Sequence, residues 1–286
     1  LLNYAIPDWI QPKASSVSFT KDDTSILPSD SQRVLLVEST TQSKLVTASN
    51  PLTTMLVPID WNNDRKLEVV AGTKSGQVFI EGGATLLSEN GTPVTALTPW
   101  DSDQDGDLDL LVSRDETFIL RNNGDGTASI VAVDAPQLHS ASIIDYDEDG
   151  AVDLVAVDND GHLVVLRNER SGLIHTIESP LTDVMQDLVV GDFINDGWMD
   201  IAWIGEDGSA YIGKNNQQNS FIPVLVGGKG HSIAAIDIDN DTHLDVLVIG
   251  DTLQFFHSEG VTSTLNTSGD EVQVVDVDLD GDLDLV

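Results

Sequence analysis

Carboxylates recur at a fixed spacing in the segment 101–109, whose sequence is DSDQDGDLD. Gly106 stands at position 6 of this segment, where a sharp turn favours a residue without a Cβ atom. In so tight a loop the side chains of the odd-numbered positions converge, and the backbone carbonyl of position 7 adds a further oxygen. Several hard oxygens around one centre suit Ca²⁺, which takes six to eight of them. The predicted ligand positions are Asp101, Asp103, Asp105, Asp107 and Asp109.

The residues after this loop exclude an EF-hand. An EF-hand needs a bidentate Glu at position 12 and flanking helices, but position 12 is Val112. The apolar run LLV follows position 9 and is typical of a buried strand. The segment is therefore interpreted as a calcium loop that joins two β-strands.

Related segments occur six times, at intervals of 39 to 47 residues. This period is long enough for one supersecondary unit and points to a repeat architecture. The segments are numbered in chain order as loop 1 (60–68), loop 2 (101–109), loop 3 (145–153), loop 4 (192–200), loop 5 (237–245) and loop 6 (276–284).

The six loops differ in how completely they carry the ligand pattern. Loops 2, 3 and 6 are complete, whereas loop 5 keeps its four carboxylates but has Thr242 at the turn position. Loop 4 has Ile194 at position 3, where only a shifted loop would let Asn195 replace the missing ligand. Loop 1 carries Arg65 and Lys66, whose charges compete with a metal, so this loop is expected to stay empty. The predicted ligand positions outside loop 2 are Asp145, Asp147, Asp149, Ala151 and Asp153 in loop 3; Asp192, Asn195, Asp196 and Asp200 in loop 4; Asp237, Asp239, Asp241, His243 and Asp245 in loop 5; and Asp276, Asp278, Asp280, Asp282 and Asp284 in loop 6.

The composition is strongly acidic. The 286 residues include 48 Asp and Glu but only 13 Lys and Arg, for a formal charge of −35. The loops hold 25 of these acids, so more than half of the acidity lies where a cation would neutralise it. The charge that remains repels nucleic acid and anionic membranes. Cysteine is absent, and no apolar run approaches the length of about 18 residues that spans a membrane.

The flanks of each loop predict a common plan: strand A, the calcium loop, strand B, a tight turn, strand C, a turn and strand D. In the third repeat these strands are expected at 140–144, 154–157, 162–167 and 173–178. Strands A and B are apolar at nearly every position, which indicates burial on both faces. Four short strands per repeat of this length are typical of a β-propeller blade. The predicted fold is therefore an all-β propeller of four-stranded blades with calcium loops at the A–B turns.

The ends of the chain leave the blade count open. Residues 1–32 are expected to form an extension or linker, and 33–286 the propeller. The sixth repeat supplies only strand A and the start of strand B before the sequence stops. A hairpin expected at 33–38 and 44–48 either completes that blade or belongs to a blade of its own that lacks a calcium loop. The prediction is thus six or seven blades.

The repeats resemble a known family. The segments VVGDFINDGWMDIAWIG and IIDYDEDGAVDLVAVD are similar to the FG-GAP/VCBS repeats of integrin α-subunit headpieces and of bacterial secreted propellers. The resemblance covers about residues 50–286. It implies a propeller with one Ca²⁺ in the loop of each intact blade. Loops of this kind in extracellular modules bind calcium at about 10⁻⁴–10⁻³ M, and millimolar calcium is an extracellular condition.

A column of polar residues precedes the loops. Six residues before each first Asp the chain has Thr54, Thr95, His139, Gln186, His231 and Asp270. Strand A is innermost in a propeller, so this column is expected to ring the channel mouth on the face opposite the calcium loops. Strand ends are also polar simply because they meet water. His139, Gln186 and His231 are the candidate ligand face.

The sequence favours a non-catalytic, calcium-binding interaction or adhesion module that is secreted, periplasmic or at the cell surface. Its expected partner is an extracellular protein or glycan, with no nucleic acid and no membrane insertion. A propeller enzyme acting on polysaccharide, as a lyase or hydrolase, is one alternative. A carbohydrate-binding lectin propeller is another, although aromatic residues make up only 5% of the chain.

Overall fold

A computed structural model describes residues 48–170, 172–179, 181–217, 220–257 and 262–266, together with the strand backbone of 15–16, 33–39, 42–47, 274–275 and 284–285. Every regular element in these residues is a β-strand. Seven separate sheets are formed, and five of them are four-stranded. The first sheet has three strands: β1 (Ser15–Ser16), β2 (Arg33–Ser39) and β3 (Gln42–Thr47).

The five four-stranded sheets are blades 1 to 5, and each is an antiparallel meander whose strands A to D follow one another along the chain. Blade 1 contains β4 (Thr53–Ile59), β5 (Glu68–Thr73), β6 (Val78–Ile80) and β7 (Thr85–Leu87). Blade 2 contains β8 (Ala96–Trp100), β9 (Asp109–Ser113), β10 (Thr117–Asn122) and β11 (Ala128–Ala132). Blade 3 contains β12 (Leu138–Ile144), β13 (Asp153–Asp158), β14 (Leu163–Asn168) and β15 (Ile174–Glu178).

Blade 4 contains β16 (Met185–Gly191), β17 (Asp200–Gly205), β18 (Ala210–Asn215) and β19 (Phe221–Gly227). Blade 5 contains β20 (Ser232–Ile236), β21 (Asp245–Ile249), β22 (Leu253–Phe256) and β23 (Thr262–Leu265). The last sheet pairs β24 (Val274–Val275) with β25 (Asp284–Leu285).

The blades pack side by side through their apolar inner strands. Strand A of each blade contacts strand A of the next, from β4 to β24. One hydrophobic cluster joins Val70 of blade 1 to Leu110 and Val112 of blade 2, and another joins Val155 of blade 3 to Trp203 of blade 4. The core therefore lies between blades, which explains why strand B is buried on both faces. The predicted all-β architecture with A–D blades is confirmed.

Two details differ from or refine the sequence prediction. Strand A of the third repeat begins at Leu138, before the expected start, because a bulge follows Leu138. The hairpin of β2 and β3 forms as expected, but it pairs with β1 and not with β25. Within the described backbone β1 lies beside β24 and β2 beside β4, so this sheet occupies a place of its own between blade 1 and the last sheet. This arrangement favours seven blades.

Candidate metal sites

Loops 1 to 5 join strand A to strand B at one end of each blade, and they share one backbone conformation. Position 4 has a φ of 54° to 61° in all five, and position 6 a φ of 69° to 94°. Glycine adopts such angles without a Cβ clash, as Gly106, Gly150 and Gly197 do at position 6. Arg65 and Thr242 hold the same conformation at a cost in strain. The repeated carboxylates thus stand on a repeated frame.

The first aspartate of a loop uses one carboxylate oxygen to close the turn. Oδ2 of Asp101 accepts a hydrogen bond from the amide of Gly106 at 3.3 Å, and Oδ2 of Asp145 accepts one from the amide of Gly150 at 3.1 Å. Oδ1 of Asp101 and Oδ1 of Asp145 are buried without a hydrogen-bond partner, as is Oδ1 of Asp103. A buried carboxylate oxygen without a donor is costly, and a cation bound between these oxygens would remove that cost. The residues present therefore fit a hard metal ion.

The same loops bring three carboxylates together. In each of loops 2, 3 and 5, one oxygen from each of three aspartates lies within 4.8 Å of the other two. Oxygen ligands lie 2.3–2.6 Å from a bound Ca²⁺, so oxygens at such separations can share one ion. The three groups are Asp101, Asp103 and Asp105; Asp145, Asp147 and Asp153; and Asp237, Asp239 and Asp241.

Other predicted ligands have different contacts. Asp149 accepts a hydrogen bond from the amide of Ala151 and pairs with Arg170 at 3.1 Å. Both oxygens of Asp109 accept hydrogen bonds, from Ser102 and from the amide of Asn122. The Asp107 side chain contacts Asn63 of loop 1. Position 9 accepts hydrogen bonds in both loops, since Asp153 accepts the amides of Tyr146 and Asn168, but of the two only Asp153 also lies within its loop's group of three carboxylates.

Burial raises the pKa of several of these carboxyls. Desolvation raises the pKa of Asp101 and of Asp145, and the nearby carboxylates add to the effect. Burial raises the pKa of Asp153 to about 7 and that of Asp200 to about 6. A raised pKa means that burial and the neighbouring carboxylates disfavour the charged form, and a bound cation would counteract that effect. The electrostatics of loops 2, 3 and 4 therefore also favour cation binding.

Loop 1 replaces metal contacts with its own hydrogen bonds. Nδ2 of Asn62 donates to Glu68 at 2.9 Å, and Asp60 accepts the amide of Arg65 at 2.8 Å. Lys66 lies 3.7 Å from Asp64. The carboxylate of Glu68 at position 9 is thus hydrogen-bonded to the side-chain amide of Asn62 at position 3. A cluster of three carboxylates like that of loop 2 is not formed in this loop.

Loop 4 has the same backbone conformation as the other loops. It does not show the backbone shift that would bring Asn195 into position 3 as a ligand. Asn195 has a φ of 56°, as position 4 does in the other loops, and Ile194 is 38% exposed at position 3. Asp196 pairs with Lys214 at 3.2 Å, while Oδ2 of Asp200 is buried without a partner. Loop 4 therefore retains one unsatisfied carboxylate but not a three-carboxylate group. Loop 6 lies outside the described residues except for Asp284, so Asp276, Asp278, Asp280 and Asp282 stay predictions.

A basic residue on or just after strand C approaches the loop of its own blade. Arg121 lies 3.1 Å from Asp103, and Arg167 lies 4.0 Å from Asp147. Lys214 and His257 approach loops 4 and 5 in the same way. In blades 2 to 5, the residue that follows loop position 9 pairs with a residue of strand C. The basic residue comes directly after that strand C residue. The charges of Arg121, Arg167 and Lys214 offset part of the carboxylate repulsion within their blades.

In blades 2 to 4 an asparagine directly follows the basic residue and connects neighbouring blades. The amide of Asn168 donates to Asp153 of loop 3 at 2.7 Å, and its Nδ2 donates to the carbonyl of Ser102 in loop 2 at 2.9 Å. Asn122 links loop 2 to loop 1, and Asn215 links loop 4 to loop 3, through the same two bonds. All three asparagines are at most 2% exposed. Loops 1 to 4 therefore form one chain of buried hydrogen bonds.

Sequence reasoning missed these asparagines and their basic neighbours. A signal was present, since a basic residue followed by Asn occurs at 121–122, 167–168 and 214–215. Loops 1, 3 and 4 have an aromatic residue at position 2, and these residues, Trp61, Tyr146 and Phe193, are buried.

The residues of the candidate ligand face lie at the start of strand A, at the end opposite loops 1 to 5. The A–B register shifts past His139 and past Gln186, so both stand in bulges. His139 is partly buried with Nδ1 unpartnered, and Gln186 donates to the carbonyl of Glu206 at 3.1 Å. His231 is exposed. The structure places the three in consecutive blades.

Backbone hydrogen bonds connect the loops around this face. The amide of Met185, where the D–A connection enters strand A of blade 4, donates to the carbonyl of Gly161 in the B–C turn of blade 3. The amide of Gly230 donates to the carbonyl of Gly208 in the same way between blades 4 and 5. B–C turns and D–A connections therefore share one face. Among the described residues, no helix is long and apolar enough to cross a membrane.

Comparisons with known proteins agree with this architecture. The model of the FG-GAP-like repeat matches residues 145–203 and 192–248, which run from loop 3 into blade 5. A search of curated proteins gave no match.

Solved propellers are similar over most of the chain. A structure described as BBS1N in complex with ARL6DN, soaked with mercury, is 15% identical with a TM-score of 0.51, over 76% of this chain and 66% of that one. The lead-soaked form is 13% identical with a TM-score of 0.53, over 90% and 88%. Sqt1 from Chaetomium thermophilum, bound to the N-terminus of the ribosomal protein L10, is 14% identical with a TM-score of 0.53, over 86% and 72%. This chain thus spans about two thirds of the mercury-soaked BBS1N chain. The meander blades and the similar solved structures show that the chain has a β-propeller fold, and residues 145–248 match the FG-GAP-like repeat.

Proposed function

We propose that this protein is a non-catalytic propeller, stabilised by calcium in loops 2, 3, 5 and 6, that serves as an extracellular protein-interaction module. The observation that carries the calcium assignment is the set of buried, unpartnered oxygens of Asp101, Asp103 and Asp145. Groups of three carboxylates around those oxygens supply hard ligands, which Ca²⁺ prefers. Bound calcium would supply positive charge at these oxygens and hold each loop to the strands that it joins.

An extracellular setting follows from the expected strength of such sites. Short exposed loops of extracellular modules bind calcium with dissociation constants of about 10⁻⁴–10⁻³ M. They fill only where calcium is near millimolar, which is an extracellular condition. Secretion, a periplasmic location or display at the cell surface would each provide it.

The interaction assignment is supported by two features. The loops opposite the calcium face vary between blades on a rigid frame, and function concentrates in such loops. Two of the similar propellers are described with protein partners, ARL6 for BBS1N and the ribosomal protein L10 for Sqt1. We place the partner surface around His139, Gln186 and His231.

Calcium titration followed by calorimetry tests the proposal. We expect at least three calcium ions per chain and a higher unfolding temperature with calcium than with chelator. Fewer than three sites would contradict the assignment of the loops. For the interaction face, proteins from a cell-surface extract are captured on immobilised wild type and on the triple variant His139→Ala, Gln186→Ala, His231→Ala. A partner retained by both contradicts that placement.

A further inference from the structure

Loop 5 differs from the other loops because a histidine approaches its carboxylates. His257 directly follows strand β22, at the position that Arg121, Arg167 and Lys214 occupy in blades 2 to 4. Its Nδ1 lies 3.2 Å from Oδ2 of Asp245 and 3.7 Å from Oδ2 of Asp239. One nitrogen and two carboxylate oxygens therefore converge, with all three ligand atoms within 4.8 Å of one another.

These separations fit a small tetrahedral ion. Zinc is bound at about 2.0–2.2 Å by imidazole nitrogen and carboxylate oxygen, so neighbouring donors around it lie about 3.3 Å apart. The measured 3.2 and 3.7 Å lie close to that distance. Asp245 is only 1% exposed, whereas Asp239 is half exposed, so the group has a buried base and an opening to solvent.

The far side of the imidazole has a partner that orients it. Nε2 of His257 lies 3.3 Å from Oγ of Ser263 in β23. If Nε2–H donates to this hydroxyl, the lone pair of Nδ1 faces the two carboxylates. A lone pair directed at two anions is repulsive unless a cation lies between them. Histidine ligands of metal sites are held in this way by a hydrogen bond to the second ring nitrogen.

We propose that Asp239, Asp245 and His257 bind a divalent transition metal of the zinc class, with a fourth position open to water. This site goes beyond the calcium proposal because its nitrogen donor suits borderline metals, whereas calcium prefers oxygen alone. It shares Asp239 with the all-oxygen group of Asp237, Asp239 and Asp241, so the two ions compete for loop 5. A proton on Nδ1 in place of the metal is the competing arrangement.

Cobalt(II) is the probe, because its visible absorption reports coordination by nitrogen and oxygen, and zinc displaces it. The intact chain is titrated with Co²⁺ in about 1 mM calcium, which keeps the other calcium loops filled and which Co²⁺ must displace from loop 5. We expect one tightly bound Co²⁺ that zinc displaces and magnesium does not. His257→Arg installs the residue of blades 2 and 3, and we expect it to weaken Co²⁺ binding by at least about 100-fold.

Controls separate this site from other histidines and from misfolding. His162→Gln alters the other described group that combines a histidine with carboxylates, Asp158, Asp160 and His162, and we expect it to leave Co²⁺ affinity unchanged. His257→Gln provides a second variant if the arginine variant does not fold. Co²⁺ affinity that survives both changes at His257 overturns the proposal. Calcium stabilisation without Co²⁺ binding refutes this inference alone, whereas Co²⁺ binding without calcium stabilisation refutes the calcium proposal alone.

Discussion

At the scale of single residues, the loops differ in whether their carboxylates already have partners. In loop 1 the position 9 carboxylate of Glu68 accepts hydrogen bonds from Trp61 and Asn62. In loops 2 and 3 the first aspartate keeps a buried oxygen without any partner. A buried acceptor left unsatisfied costs about 1–3 kcal/mol, and more when it is charged. The same ligand spacing therefore has different consequences in different blades.

This difference predicts the effect of substitutions at position 1. Asp101→Asn and Asp145→Asn should each remove one calcium ion per chain, because each removes the charge of a buried ligand. Asp60→Asn is the matched control in loop 1 and should leave the number of bound ions unchanged. Isothermal titration of the three variants measures the stoichiometry. Loss of an ion in Asp60→Asn would show that loop 1 binds metal.

Asp153 predicts a pH dependence in the absence of calcium. Burial raises its pKa to about 7, well above the unfolded value near 3.8, so the folded state binds the proton more tightly. The folded chain therefore carries more protons than the unfolded chain between about pH 4 and pH 7, and its stability falls as pH rises through that window. Asp153→Asn should flatten this fall. Unfolding by urea in chelator at several pH values measures it, and stability that rises with pH in this range in wild type but not in the variant would contradict the assignment.

At the scale of elements, the end of strand C connects a loop to its own blade and to the preceding one. Asn168 bonds the carboxylate of Asp153 through its backbone amide and the carbonyl of Ser102 through its side chain. Apolar contacts between strands also hold the blades together, but they are non-directional and do not by themselves fix the position of a loop. The asparagine therefore helps to fix the position of one loop relative to the next.

Asn168→Ala should destabilise the protein by about 1–3 kcal/mol, because it leaves the buried carbonyl of Ser102 without its donor. The change should also weaken calcium binding at loop 2, although Asn168 is not a ligand. Asn123→Ala is the matched control, since Asn123 bonds only within its own exposed turn. Urea unfolding and calcium titration of both variants provide the readouts. Equal effects of the two changes would argue against an inter-blade role.

At the scale of the whole molecule, calcium binding and net charge both affect the stability of the folded state. The formal charge of −35 would fall to −27 with four bound calcium ions. A site with a dissociation constant of about 0.1 mM contributes about 1.4 kcal/mol at about 1 mM calcium. Four sites together contribute roughly 5–6 kcal/mol, which is comparable to the net stability of a domain.

Chelation should therefore lower the unfolding temperature markedly. The decrease should be larger at low ionic strength, because salt screens the repulsion between carboxylates that calcium no longer neutralises. Differential scanning calorimetry at low and high salt, with calcium or with chelator, measures both effects. An unfolding temperature that chelation leaves unchanged would mean that the loops do not support the fold.

The sequence alone determined the blades and the frame of the loops. Carboxylates at positions 1, 3, 5 and 9, a turn residue at position 6 and apolar flanks are local features, so spacing along the chain reveals them. The similar φ angles of loops 1 to 5 show that even Arg65 and Thr242 follow this local code. The blade count was less accessible, because the pairing of β2 with β1 involves an extension without a repeat signal.

Only the tertiary structure decided which loops keep unsatisfied oxygens and what ties the loops together. Asn168 and Ser102 are 66 residues apart, and Asn215 and Tyr146 are 69 apart, so their contacts exist only once blades stack. Burial of Oδ1 in Asp101 likewise depends on neighbouring elements and not on the loop sequence. The approach of His257 to Asp239 and Asp245 depends on the path of strand C across its blade. Spacing fixes which residues could bind a metal, and packing fixes which of their oxygens and nitrogens remain available to do so.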